Sequence, residues 1–128
     1  MLSSLLLVFL NFSVQAADLE CAPGKIKSLQ FGKTKITSAN LCTNSKRDVL
    51  QSQNCAQRKC AALRPTANVE VPVAHQNGKP GFKLCWALSG VPEIIEFEFK
   101  GKWFKLDRCV FPQDSSFVDT ATLLTQLK

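Results

Sequence analysis

Six cysteines, Cys21, Cys42, Cys55, Cys60, Cys85 and Cys109, constrain this 128-residue chain more than any other feature. The count is even, and the C-x₂₋₄-C ligand pairs of a zinc site are missing apart from Cys55 and Cys60. With His75 as the single histidine, no metal and no cofactor are expected. Three disulfides are expected instead, and with them an oxidising compartment. Cys85–Cys109 across a hairpin is the first expected pair, and Cys21–Cys42 the next. The remaining pair, Cys55–Cys60, has an offset of five. On one regular helix that separates the side chains by more than a quarter of a turn, an awkward geometry.

Residues 5–12 form an apolar run far shorter than the roughly 20 residues a bilayer span needs. Val14, Gln15, Ala16 and Ala17 follow as a peptidase site. The expectation is a signal peptide over 1–16, cleaved after Ala16 with Ala17 as the alternative, then one secreted or periplasmic domain over 17–128 with no transmembrane segment. No Lys or Arg precedes the apolar run, so the terminal amine is its only positive charge.

The net charge of +6 is unevenly spread. Residues 17–83 carry eleven Lys/Arg against four acids, and residues 84–128 five against six. Lys25, Lys27, Lys33, Lys35, Lys46, Arg47, Arg58, Lys59 and Arg64 are the candidate anion-binding residues. Lys25 with Lys27, and Lys33 with Lys35, have strand spacing, so each pair shares a face. Such a stripe could meet an anionic envelope polymer. Aromatic residues to stack bases are not interleaved with it, so nucleic acid is not the expected partner.

Local patterns point to an α+β fold of antiparallel hairpins and short helices. Residues 25–36 alternate as one or two strands with Gly32 at a bend. Asn54 and Gln57 read as a capping box opening a helix that Arg64-Pro65 ends. Residues 69–73 read as an edge strand carrying Pro72, and Asn77-Gly78 as a hairpin turn. The clearest signal is 93–111. Ile95, Phe97 and Phe99 alternate with charged residues, Gly101 turns the chain, and Phe104 and Leu106 alternate in return. Acids on the first arm would then face Lys on the second. Asp119 is placed to cap a helix over 120–127, with Leu123, Leu124 and Leu127 inward.

The stretches from Cys60 and from Cys85 follow one plan: Cys-x-Ala-Leu, Pro, strand, Gly-Lys turn, Phe-Lys-Leu, Cys. This predicts a helical turn plus hairpin used twice, over 60–85 and 85–109, with the two units packed on each other.

Residues 85–116 also resemble a small secreted bacterial Cys-rich module of unknown function, found in proteins carrying a haemolysin label. Cys85-Trp-Ala-Leu-Ser89-Gly90, the strand Glu93-Ile94-Ile95 and Cys109-Val110-Phe111-Pro112-Gln113-Asp114-Ser115-Ser116 carry the likeness. The module's Gly-Gly is Ser89-Gly90 here, its Asp-Gly-Ser is Asp114-Ser115-Ser116, and its later Cys is absent. The resemblance implies a bacterial envelope or secreted context and no particular activity.

Catalytic motifs are sparse. His75 sits just before the turn without a fixed carboxylate or nucleophile. Glu96 and Glu98 share a strand face, where a solvated charge ladder is the ordinary reading. Asp107-Arg108 could pair with each other or with other groups. The expected function is a non-enzymatic module binding an envelope polymer or a protein. The alternatives are a small secreted hydrolase or toxin using His75 and the hairpin carboxylates, and an inhibitor of a host or rival hydrolase.

Overall fold

The computed structural model describes residues 18–30, 32–57, 59–64 and 78–126. The segment expected to be a signal peptide, Arg58, the 69–73 strand, His75, Asn77 and Leu127 lie outside them.

Six antiparallel strands close into a barrel in the order β1-β2-β3-β6-β5-β4. They are β1 (Glu20–Gln30), β2 (Lys33–Thr43), β3 (Leu50–Ser52), β4 (Val91–Phe99), β5 (Lys102–Phe111) and β6 (Ser116–Asp119). Among the described residues the helical elements include α1 (Pro80–Ala87), α2 (Thr120–Leu124) and 3-10 turns at Gln53–Cys55 and Ala61–Leu63. A closed, mostly β barrel replaces the helix-plus-hairpin α+β domain expected from the sequence.

Two turns follow directly from residue type. Gly32, with φ 76°, turns the chain between β1 and β2, and Lys100 and Gly101, with φ 53° and 84°, form the two-residue turn between β4 and β5. Two positive φ values match the twist of the strands they join. The β4–β5 register pairs Ile95 with Leu106 and Phe97 with Phe104 on the inner face, and Glu96 with Lys105 on the outer. The 93–111 alternation is therefore a barrel hairpin.

The barrel has a core on each side of its wall. Inside lie Ile26, Leu41, Leu50, Ile95, Phe97, Phe99 and Phe117. Outside, Cys109, Phe111 and Val118 point away from the interior and are covered by Leu84 of α1, Leu123 of α2 and Ala61–Leu63. Burial of both faces explains why β6 is buried at every position.

The twofold repeat is overturned by this arrangement. Phe82-Lys83-Leu84 lies in α1, whereas its proposed equivalent, Phe104-Lys105-Leu106, lies in β5. Pro80 at the first turn favours the helix there. The 54–64 helix is also corrected. Asn54 does not cap it: it lies inside the first of two 3-10 turns that stand in its place, its Oδ1 accepts from the Ser52 hydroxyl and its Nδ2 donates to the Asp114 carbonyl at 3.1 Å.

Disulfides join Cys21–Cys42, Cys55–Cys60 and Cys85–Cys109, and no described cysteine is free. The offset of five is accommodated because Cys55 ends one 3-10 turn and Cys60 precedes the next. Cys21 and Cys42 are directly opposite, with Cα atoms 4.0 Å apart. That is the close spacing of a strand pair that exchanges no backbone hydrogen bonds. Alternation along the ladder then gives Pro23 the same status, so its missing N–H faces away from β2. The β1–β4 ladder covers only Lys25–Ser28, so Pro23 leaves no bond unmade there.

The closing seam is short. β3 pairs with β2 only at Leu41–Thr43, and with β6 only at Gln51–Val118. Side chains extend it: the Ser52 hydroxyl accepts from Phe117 N–H at 3.0 Å, and Asp119 Oδ1 accepts from Leu50 N–H at 2.9 Å. Asp119 also caps α2, accepting from Thr122 N–H at 2.9 Å. Burial pushes its carboxyl above the ordinary range against the opposing pull of these bonds.

Candidate interaction face

β5, β4, β1 and β2 form a four-strand wall whose outer face is open to solvent. Register fixes its rows. Trp103 lies opposite Glu98, Glu98 opposite Lys25, and Lys25 opposite Ser38. The next row runs Lys105, Glu96, Lys27 and Ile36. Beyond it, Ile94 and Leu29 point the same way, with Thr34 opposite Leu29.

Four large apolar side chains on this wall are exposed: Leu29 at 68%, Ile94 at 64%, Ile36 at 54% and Trp103 at 39%. A shallow groove of about 320 Å³ runs between Leu29, Thr34 and Ile94, rimmed by Lys27 and Lys105. A second depression of about 370 Å³ lies at Pro23, Ser38 and Asn40. Its floor is the backbone at Gly24, where a Cβ would stand 2.3 Å from the Glu98 carbonyl oxygen. Glycine there lets β1 approach β4.

The charges of the wall compensate one another. Lys27 Nζ stands 4.0 Å from Glu96 and 4.7 Å from the Trp103 ring centroid. Lys25 is opposite Glu98, and Lys105 opposite Glu96. Asp107 pairs with Lys79 at 3.0 Å, and Arg108 forks onto Glu93 at 2.7 and 2.9 Å, so Asp107 and Arg108 have separate partners.

The structure does not gather the candidate cations into one patch. Lys25 and Lys27 are on the compensated wall. Lys33 and Lys35 lie on the projecting end of β2, exposed and in no ion pair among the described residues. Lys46 and Arg47 lie in the β2–β3 connection at the other end of the barrel. There Arg47 donates to the Asn44 carbonyl at 2.9 Å and stacks 4.5 Å from the Phe99 ring centroid. Beside it Lys100 pairs with Glu20, and that hydrogen bond holds the Glu20 carboxyl below its ordinary range. Lys59 and Arg64 flank Cys60 and the second 3-10 turn, exposed.

Glu96 and Glu98 are outward and face lysines rather than being set across a cleft, and Glu93 is taken up by Arg108. No group of three or more His, Cys, Asp or Glu able to hold a metal occurs among the described residues. Asp114 is structural. Its Oδ2 accepts from Ala61 N–H at 2.8 Å, and its Oδ1 from the Ser116 N–H at 3.0 Å and hydroxyl at 2.6 Å. Burial raises this carboxyl, but the Ser116 and Ala61 hydrogen bonds and the charge of Arg64 outweigh it, and the net shift is downward.

Sequence reasoning missed the apolar half of the wall. Its signal was the doublet Ile94-Ile95: in a strand two adjacent apolar residues cannot both face inward. Trp103-Phe104 carries the same mark. No family model, curated protein or solved structure matches this chain.

Proposed function

We propose that this chain is an extracytoplasmic, non-enzymatic binding module that engages a protein through the outer wall of its barrel. Three disulfides, and the lack of any membrane-length helix among the described residues, are compatible with an extracellular or secreted protein. The signal-like first residues and the resemblance of 85–116 extend that reading to a bacterial envelope.

The observation that carries the proposal is the pairing of exposed Leu29, Ile36, Ile94 and Trp103 with charges that cancel on the same face. Apolar centre, aromatic anchor and alternating charges at the rim suit a protein surface. A polyanion would need a run of uncompensated cations in register, and the wall's three lysines are interrupted by Glu96, which faces both Lys27 and Lys105, and by Glu98, which faces Lys25.

The test is co-isolation of crosslinked partners from the secreting cells by tagged wild-type protein and by Ile94→Asp and Trp103→Ala. A defined protein partner lost in both variants supports the reading. Partners unaffected by either substitution, or displaced by a polyanion such as heparin, would refute it.

A further inference from the structure

We infer that the edge of β2 left unpaired among the described residues takes an extended peptide as an added antiparallel strand, with acidic side chains on one face of that peptide and apolar ones on the other. The inference rests on the protein-binding reading and specifies its mode.

β2 has eleven residues, all matched to β1 on one side. On its other side only Leu41–Thr43 meet β3. Among the described residues nothing pairs with that edge over Lys33–Asn40. Counting from the close Cys21–Cys42 pair, Thr34, Ile36 and Ser38 also oppose β1 without exchanging bonds. Their N–H and C=O groups therefore point out of the sheet edge. A row of alternating donors and acceptors is complementary to another strand.

Side chains specify the strand. Thr34 and Ile36 lie on the outer face beside Leu29, so apolar residues of the incoming strand extend that patch. Lys33 and Lys35 lie on the opposite face and, unlike Lys25 and Lys27, have no carboxylate facing them across a ladder. They call for acids at alternate positions. A second copy of this chain fits less well, because antiparallel self-pairing would bring four lysines to one shared face.

The probe is a fluorescein-labelled peptide of four Glu-Val repeats, followed by anisotropy with the oxidised protein. Same-face residues lie opposite in an antiparallel pair, so the valine N–H groups would meet β2. Methylating the valine nitrogens should weaken binding roughly tenfold or more, the equivalent of one or two hydrogen bonds. Methylating the glutamate nitrogens should leave affinity within about threefold. Lys33→Glu with Lys35→Glu should reverse the preference toward a Lys-Val peptide, with the circular dichroism spectrum checking the fold. Loss confined to the valine-methylated peptide supports strand addition, and loss confined to the glutamate-methylated one would overturn the register. Equal affinity of the two methylated peptides, equal binding of the Lys-Val peptide by the wild type, no binding at about 1 mM, or a stable homodimer in sedimentation would overturn it. If the peptides fail while Ile94→Asp still abolishes capture of the natural partner, strand addition falls and the wall reading stands.

Discussion

Gly90 sits beneath the Cys85–Cys109 disulfide, and replacing it with alanine tests whether the outer core is built around that contact. A Cβ at residue 90 would lie 2.4 Å from Cys109 Sγ, 3.0 Å from Cys85 Sγ and 3.2 Å from the Val110 carbonyl oxygen. Both cysteines are fully buried, so the sulfurs cannot swing into solvent. Forcing a methyl group into such a site costs about 1–3 kcal/mol. Removing the disulfide by Cys85→Ala with Cys109→Ala has its own cost. The separation of 24 residues gives about 3.5 kcal/mol of lost unfolded-state constraint. The two perturbations should not add. With both sulfurs gone, only the Val110 oxygen crowds the new methyl, and Gly90→Ala should cost no more than about 0.5 kcal/mol. The assay is guanidinium denaturation of the four proteins followed by the fluorescence of Trp86 and Trp103, with alkylation and intact mass confirming the thiol state. Equal cost of Gly90→Ala with and without the disulfide would refute the reasoning, as would no cost in the disulfide-bonded protein.

Asp114→Ala removes three hydrogen bonds, one tying the second 3-10 turn to the β5–β6 turn and two from Ser116 bracing that turn itself, and should cost about 2–3 kcal/mol at neutral pH. Because the folded carboxyl is held low, that contribution is complete above its ordinary value of about 3.9 and is lost as pH falls through the lower folded value. The difference between wild type and Asp114→Ala in urea melts should shrink over that acid window, and a constant difference would sink the assignment. Asp119→Ala removes a helix cap and leaves Leu50 N–H buried without its acceptor, a loss of about 2–4 kcal/mol, with faster exchange of the Leu50 amide as the local signature. Cys55→Ala with Cys60→Ala opens a loop of only five residues and should cost less than loss of the 85–109 bridge, about 2 kcal/mol by thermal melt. Ile94→Asp, on an exposed site, should shift stability by less than about 0.5 kcal/mol while abolishing partner capture. A large drop in melting temperature would show that Ile94 is core.

Local chemistry was legible in the sequence where one residue type forced the answer. Gly32 and Gly101 mark turns, the Ile95–Phe99 and Phe104–Leu106 alternation marks a hairpin, and Asp119 marks a cap. Closure was not legible. It depends on three-residue β3 and four-residue β6, too short to show a period, and on side chains such as Ser52 standing in for ladder bonds. The repeat misled because Phe-Lys-Leu has no intrinsic state: after Pro80 it is helical, and after a Lys100-Gly101 turn it is extended. The site was half legible. Lysine spacing in β1 was visible, but whether those lysines were free depended on the β1–β4 register, which brings Glu96 and Glu98 across from them. That contact spans some seventy residues of chain and leaves no local trace.

The placement of the disulfides divides this barrel into two separately bridged pieces whose one covalent link is the polypeptide between Cys60 and Cys85. Cys21–Cys42 and Cys55–Cys60 lie wholly within the first 60 residues, and Cys85–Cys109 wholly beyond residue 84. No sulfur bridge crosses between them. The sheet joins the halves at two non-covalent seams, one of four residue pairs between β1 and β4 and one of a single pair between β3 and β6, and the outer core packs across them. A chain severed once between Cys60 and Cys85 would therefore come apart in denaturant with every disulfide intact, and would have to find its own other half to become a barrel again. Oxidation secures each piece, and ladder hydrogen bonds, side-chain hydrogen bonds and packing hold the two together as one barrel.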